Sequence, residues 1–299
     1  MSDHARGSSA HAHRRELATV LTLTLAFAGV EAVGGLLTNS LSLLADAAHM
    51  LTDVGGLAMA LIATWLAQRP PTPERSFGYY RVEVLAAAAN AVFLLFAGGY
   101  VLYEAFQRLQ DPPDVVSVPV IVVATIGLVV NLIGVRLLHS GAQTSLNVEG
   151  AFLEVLSDML GSIAVLVAAL IMWLTGWYYA DPVASIVISV LIVPRAWHLL
   201  RSATHVLMEG APPDVPLTDV ESALLALDEV EQVHDLHVWT LTSGLNALSA
   251  HLLVRGVDDP AESQRLLEQV SALLRERFGV EHTTIQLEYR DLRPDEPEY

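Results

Sequence analysis

Six long apolar runs fill the first two thirds of the chain, and a shorter alternating pattern follows them. The runs lie at roughly 17–37, 42–67, 83–107, 116–138, 150–174 and 181–204. Each reaches or exceeds the ~20 residues that a helix needs to cross a hydrocarbon core of roughly 30 Å. Polar breaks separate them at Thr38-Asn39-Ser40, the Pro-rich loop 69–81, Asp111-Pro-Pro-Asp114, 140–147 and 175–181. The pattern predicts six transmembrane helices. Arginines cluster before the first span (Arg6, Arg14, Arg15), between spans two and three (Arg69, Arg75, Arg81), near the end of span four (Arg136) and around the end of span six (Arg195, Arg201). The opposite loops hold only Arg108. The positive-inside rule then places both termini in the cytoplasm. The first run is long and no small-residue cleavage site follows it, so it reads as an uncleaved span rather than a signal peptide.

From about Glu209 the period changes. Pro212-Pro213 break the helix, and Leu217–Leu227 reads as an amphipathic helix opened by Pro216. Val233–Leu241 alternates, Ser243-Gly244 turns, and Leu245–Val254 alternates again, which predicts a hairpin. Pro260–Phe278 repeats apolar residues at helical spacing, and Thr283–Tyr289 reads as a last strand. The expected fold is thus an α-helical membrane protein of six spans with a C-terminal α+β domain of order αββαβ, helices layered on one sheet face. The expected division is a polar tail at 1–16 carrying His4, His11 and His13, a transmembrane domain at 17–208, and a cytoplasmic domain at 209–299.

Composition sharpens this picture. The chain is 53% hydrophobic and carries a net charge of −17. It has no cysteine, which removes disulfides, thiolate metal sites and a cysteine nucleophile. All basic residues are arginine. From Glu209 onward 19 Asp and Glu face 6 Arg, a balance of −13 that argues against nucleic acid and suits a cation-handling or well-solvated domain.

The chemistry concentrates in spans two and five. Asp46, His49 and Asp53 are spaced i, i+3, i+7 and share one helix face. Glu154 and Asp158 form an i, i+4 pair in the fifth span. Ionisable groups at membrane depth are costly and usually mark an ion or substrate path. A lone intramembrane histidine is more often a packing residue, and a lone aspartate often pairs with arginine. Here two pairs recur at one spacing, and no arginine lies at matching depth in these two spans. His49, Asp53, Glu154 and Asp158 therefore read as one site of one nitrogen and three oxygen ligands, fit for a divalent transition metal with zinc first. The same groups take up protons when the metal leaves, so binding and proton release are coupled. Asp46, one turn toward the outer end, reads as a support for these ligands or a vestibule charge. Asn39, Asn90 and Asn131 read as interhelical hydrogen-bonding residues, and Glu31 is left without an assignment. In the tail, His234 and His251 fall on neighbouring strands, with His237, His282 and Glu288 nearby in sequence; spacing alone decides little there.

Together the stretches Asn39–Asp53, Arg75-Ser-Phe-Gly-Tyr-Tyr-Arg-Val-Glu83, Ser157-Asp-Met-Leu-Gly-Ser162, His234-Asp-Leu-His-Val-Trp-Thr-Leu241 and His282–Glu288 resemble the cation diffusion facilitator family of zinc, cobalt and cadmium exporters, over nearly the whole chain. The resemblance implies a homodimeric metal/proton antiporter in a bacterial inner membrane, with metal as substrate and possible regulatory ligand, and neither an enzyme nor a catalytic cofactor. It implies the transport quartet named above. It further implies cytoplasmic-domain metal ligands at His234, His251 and Glu288, with His237 and His282 as further candidates and Gln286 where one branch has histidine. It also implies a charge pair of Arg81 with Glu209. The chain departs from the family's usual zinc pattern at Glu154, where histidine is the common residue; this raises manganese, iron, cobalt or cadmium as alternative substrates. Thr72, Arg75 and Tyr79 stand where some members bind metal between spans two and three, so no site is expected there. An intramembrane metallohydrolase and a metal sensor are the competing readings; the chain has no HExxH motif for the first and no signalling module after the tail for the second.

A carboxylate is a harder ligand than imidazole, so Glu154→His should move metal preference toward zinc and away from manganese, iron or cadmium. It should also alter the pH dependence, because a group titrating near 4.3 in water gives way to one near 6.5. Competition uptake at two pH values measures both; an unchanged metal order would show that Glu154 does not ligate.

Overall fold

The computed structural model describes residues 14–67, 69–142, 146–242, 244–257 and 259–290. His4, His11 and His13 lie outside the described residues. Six long helices come first: α1 (Arg14–Thr38), α2 (Leu41–Ala67), α3 (Arg81–Arg108), α4 (Ser117–Ala142), α5 (Leu146–Thr175) and α6 (Ala180–Leu207). By length and composition, segments of α1, α3, α4, α5 and α6 can each cross a membrane. The remaining long helix, α2, runs for 27 residues and is the one that carries Asp46, His49 and Asp53. The described residues form two compact units, one built from the chain up to Met59 together with Ala89–Leu200, the other from Ala60–Ala88 together with Arg201 onward.

The first unit is built inside out. Its outward surface carries large apolar residues such as Leu37, Phe96 and Leu174, each more than 70% exposed. Small residues fill its interior: Ala45, Ala105, Ala124, Ala168, Ala169 and Ala196 are buried. Lipid solvates the apolar exterior, so association rests on close backbone approach rather than on hydrophobic burial. Glycine allows such an approach at Gly56, where a Cβ would meet Asn90 Nδ2 at 2.6 Å.

One buried carboxylate locks the start of α2. Asp181, fully buried at the start of α6, accepts from Ser40 Oγ at 2.6 Å, the Leu41 amide at 2.7 Å, Ser42 Oγ at 2.6 Å and the Ser42 amide at 3.2 Å. The first amides of a helix have no partner within it, and the helix dipole favours negative charge there. The carboxylate thus caps α2 from a different helix. Arg108 Nη1 stands 4.0 Å from Asp181 Oδ2 and donates to the Asn39 carbonyl at 2.7 Å. Asn39 turns the chain in left-handed backbone, φ 58°.

The second unit holds α7 (Leu217–Leu225), β1 (Val230–Thr242), β2 (Leu245–Val254), α8 (Pro260–Phe278) and β3 (Val280–Glu288). β2 is central, antiparallel to β1 and parallel to β3. Helix α8 is the crossover that a parallel pair requires. Asp259 caps it by accepting from the Ala261 and Glu262 amides at 2.6 and 2.9 Å, Pro260 opens it, and Gly279 ends it at φ 66°. Leu266, Val270 and Leu274 of α8 bury against Leu248, Ala250 and Leu252 of β2. Strand β1 begins three residues before the expected Val233, and β3 at Val280 rather than Thr283, because pairing with β2 extends both ladders.

Asp181→Ala should strand four donors at the start of α2 and lower stability by at least ~2 kcal/mol. The unfolding temperature of the purified protein in detergent reads this; an unchanged value would mean that the cap contributes nothing to stability.

Candidate metal centre

Helix α2 presents His49 and Asp53 one turn apart on one face, and α5 brings Asp158 to them. His49 Nδ1 lies 3.3 Å from Asp53 Oδ2, and His49 Nε2 lies 3.8 Å from Asp158 Oδ1. Ligand atoms of the three residues all fall within 4.8 Å of one another. Two ligands on ~2.0–2.1 Å bonds to a tetrahedral zinc stand ~3.4 Å apart, a spacing that His49 Nδ1 and Asp53 Oδ2 meet, while the nitrogen facing Asp158 is the other one of the same ring. Asp158 is 3% exposed, His49 13% and Asp53 20%. His49 Nδ1, Asp53 Oδ2 and Asp158 Oδ1 are buried atoms without a hydrogen-bond partner among the described residues. Glu154 is more exposed and lies against Asp53, outside that inner triad.

Arg195 of α6 is the residue that sequence reasoning placed elsewhere. In the sequence it stands near the end of span six, and spans two and five hold no arginine at the depth of the acidic pairs. Its charge acts on His49, Asp53, Glu154 and Asp158. Its Nη1 also donates to Ser157 Oγ at 3.0 Å. The available signal was Pro194-Arg195, a charge inside an apolar run directly after a helix-breaking residue. Asp46 is 1% exposed and packs against Gly161, where a Cβ would fall 2.5 Å from Asp46 Oδ1. Asn131 donates across helices to Ser162 Oγ at 3.3 Å.

The second unit assembles a different cluster. The register sets His234 opposite His251, and their rings meet edge-on with centroids 5.2 Å apart. Glu288 at the end of β3 spans both: Oε2 is 3.1 Å from His234 Nε2, and Oε1 is 3.1 Å from His251 Nδ1. Gln286 donates to Glu288 Oε1 at 2.9 Å. Burial works to raise the Glu288 carboxyl, but the hydrogen bonds from Gln286 and His234 and the charges of His234 and His251 outweigh it and hold the group below its ordinary range. A bulge in β1 between His234 and His237, with Asp235 at φ 50°, shifts the pairing so that both histidines point to one sheet face. Asp235 fills the bulge, 2.9 Å from His237 Nε2 and 3.7 Å from His251 Nε2. Sequence reasoning missed Asp235, because regular alternation puts it on the opposite face. His282 is not brought to this group; its ring lies edge-on to Phe77 at 5.3 Å. In the same unit Arg81 Nη2 lies 2.9 Å from Glu209 Oε1, and Arg75 stacks over Tyr79 at 4.6 Å.

Comparison with known proteins gives these sites a context. Residues 17–208 match the cation efflux transmembrane domain, and residues 212–290 match the cation efflux protein cytoplasmic domain. The chain is 46% identical over 286 residues to the cation efflux system protein CzcD of Alcaligenes sp. (strain CT14), covering 96% of this chain and 88% of that protein. It is 41% identical over 261 residues to the cadmium, cobalt and zinc/H(+)-K(+) antiporter of Bacillus subtilis (strain 168), covering 87% and 84%. It is 38% identical over 278 residues to the zinc transporter ZitB of Escherichia coli (strain K12), covering 92% and 88%.

The tail cluster generates a prediction that the membrane site does not share. In an Asp158→Ala background, zinc binding to the cytoplasmic cluster should weaken as pH falls, because protons compete with metal for the same ligand atoms. Glu288→Gln should weaken it by at least ~10-fold, because the carboxylate that spans both rings is lost. The folded Glu288 carboxyl lies below its unfolded value, so its contribution to stability is full above roughly pH 4.3 and fades as pH falls through the lower folded value. Calorimetry across pH 5–8 tests the binding, and unaltered affinity in Glu288→Gln would make these residues structural.

Proposed function

The chain belongs to the cation efflux family, and on that premise we propose that it exports divalent transition-metal cations, zinc first, in exchange for protons across a bacterial inner membrane with both termini in the cytoplasm. The observation that carries this is that His49, Asp53 and Asp158 bring ligand atoms within 4.8 Å of one another, and that each residue has a buried atom without a hydrogen-bond partner among the described residues. Glu154 completes the transport quartet from the side of Asp53. An imidazole nitrogen and carboxylate oxygens bind zinc without the tight grip of thiolates, which suits a site that must release its cargo. Each ligand competes for protons, so protonation from the outer face ejects metal and metal from the cytoplasm ejects protons. Arg195 supplies a permanent positive charge beside the four groups and limits the repulsion between carboxylates once the ion leaves.

Residues 209–299 act as a cytoplasmic metal-binding domain that pairs two subunits, with His234, His251 and Glu288 as ligands and His237 as a further candidate. Metal there offsets the acidic excess of the domain and favours the paired form. The Arg81–Glu209 pair ties the end of the 69–81 loop to the start of that domain. The oxygen-rich quartet, with Glu154 against Asp53, supports cobalt, cadmium, manganese or iron as alternative cargo. A transporter needs neither a general base nor a bound nucleophilic water, and no catalytic role is assigned.

Zinc uptake into sealed inverted vesicles tests the reading. Wild-type uptake should follow an imposed pH gradient and stop when the gradient is collapsed. Asp53→Ala and Asp158→Ala should lose at least ~100-fold of the flux while still inserting, the loss expected when a ligand is removed from a metal site. Normal transport by either variant would sink the site; uptake indifferent to the gradient would sink the proton coupling.

A further inference from the structure

A second polar cluster lies in the membrane unit, built from four different helices. Glu31 of α1 and Ser162 of α5 are fully buried, and Asp46 of α2 and Asn131 of α4 are each 1% exposed. The carboxyls of Glu31 and Asp46 face one another, and the Ser162 hydroxyl stands beside Asp46. Asn131 reaches the group through Ser162, to which it donates at 3.3 Å. The backbone is kept bare around it: a Cβ at Gly161 would fall 2.5 Å from Asp46 Oδ1, and one at Gly127 would fall 3.1 Å from Ser162 Oγ. Asn131 Oδ1 is buried without a hydrogen-bond partner among the described residues, and the Glu31 and Asp46 carboxyls reach only one another and Ser162.

Two carboxylates in a low-dielectric interior cannot both be ionised without a cation. The donor set is oxygen throughout, with two carboxyls, an amide and a hydroxyl. Such a set is a poor match for zinc or cadmium and a good one for a hard ion or a proton. Asparagine is the independent sign of a ligand, because a fully buried amide oxygen without a partner is expensive.

We propose that Glu31, Asp46, Asn131 and Ser162 form the counter-cation site of the transporter, which holds a monovalent cation, a proton or an alkali ion, separately from the metal ligands. The proposal rests on the exporter reading above. Its coupling is electrostatic. Asp158, a ligand of the metal site, is among the charges acting on Glu31, together with Asp46. A divalent ion at Asp158 places positive charge next to the second site and disfavours a cation there; departure of the metal uncovers the negative charge and draws the counter-cation in. The exclusion is reciprocal, as any coupling between two binding equilibria must be.

The test compares wild type, Glu31→Gln and Asn131→Leu in reconstituted vesicles, with zinc affinity measured by calorimetry in detergent. Zinc uptake is driven in one arm by a pH gradient and in another by a potassium gradient at equal pH. Glu31→Gln should bind zinc within about threefold of wild type but lose about tenfold or more of its response to one gradient, the size expected of a typical coupling between sites. Loss in the pH arm identifies the proton, and loss in the potassium arm an alkali ion. Asn131→Leu leaves both carboxyls in place and should weaken the same arm, and it decides the matter if Glu31→Gln does not fold. Full response in both arms overturns the proposal, and so does abolished zinc binding, which would make these carboxyls metal ligands. Wild type that moves no zinc under either gradient would overturn the exporter reading instead.

Discussion

The cost of charge in a low-dielectric interior governs the membrane unit of this protein. Asp46, His49, Asp53, Asp158 and Glu31 all sit where an isolated ion costs several kcal/mol or more. Each is held by structure that would have no use without them: Gly161 leaves room for Asp46, and Arg195 reaches in from α6. The charges are arranged so that no fixed cation neutralises them fully. That shortage of positive charge is what the proposed uptake and release of mobile cations would use.

The scaffold answers a related constraint at the N-terminal end of α2. A helix that carries His49 and Asp53 must not slide along its neighbours, and a polar lock adds to the packing of its buried Leu41, Leu43 and Met50. Asp181 does this polar work, accepting from two amides and two hydroxyls at the first turn, while Arg108 holds the turn that leads into it. His49 and Asp53 lie about two and three turns further along the same helix, so the cap bears on the depth at which they stand.

The cytoplasmic unit solves the ligand problem differently. Its site sits on a sheet rather than between helices, and water can reach part of it. The bulge at Asp235 rotates β1 so that His234 and His237 share a face, and the parallel β3 delivers Glu288 between His234 and His251. Fixing that carboxylate between two rings costs little there, because the histidines and Gln286 favour its charged form.

Much of this was legible before any coordinate. Apolar run length dictated six helices, because a bilayer imposes one length on every span. Strand β2 and helix α8 were readable to the residue, because the Ser243-Gly244 turn, Pro260 and Gly279 are local signals. The pairs His49/Asp53 and Glu154/Asp158 were visible because helical spacing is a one-dimensional property. Tertiary structure alone decided what depends on approach between distant segments. Arg195 and Glu31 joined acidic groups from other helices, Asp235 reached the histidine face through a bulge, His282 turned to Phe77, and Asp181 became a helix cap. Periodicity tells which face of an element a residue occupies, but not which other element will meet that face or at what register; that is settled by packing, where a single glycine or one extra residue in a strand moves a charge by several ångströms.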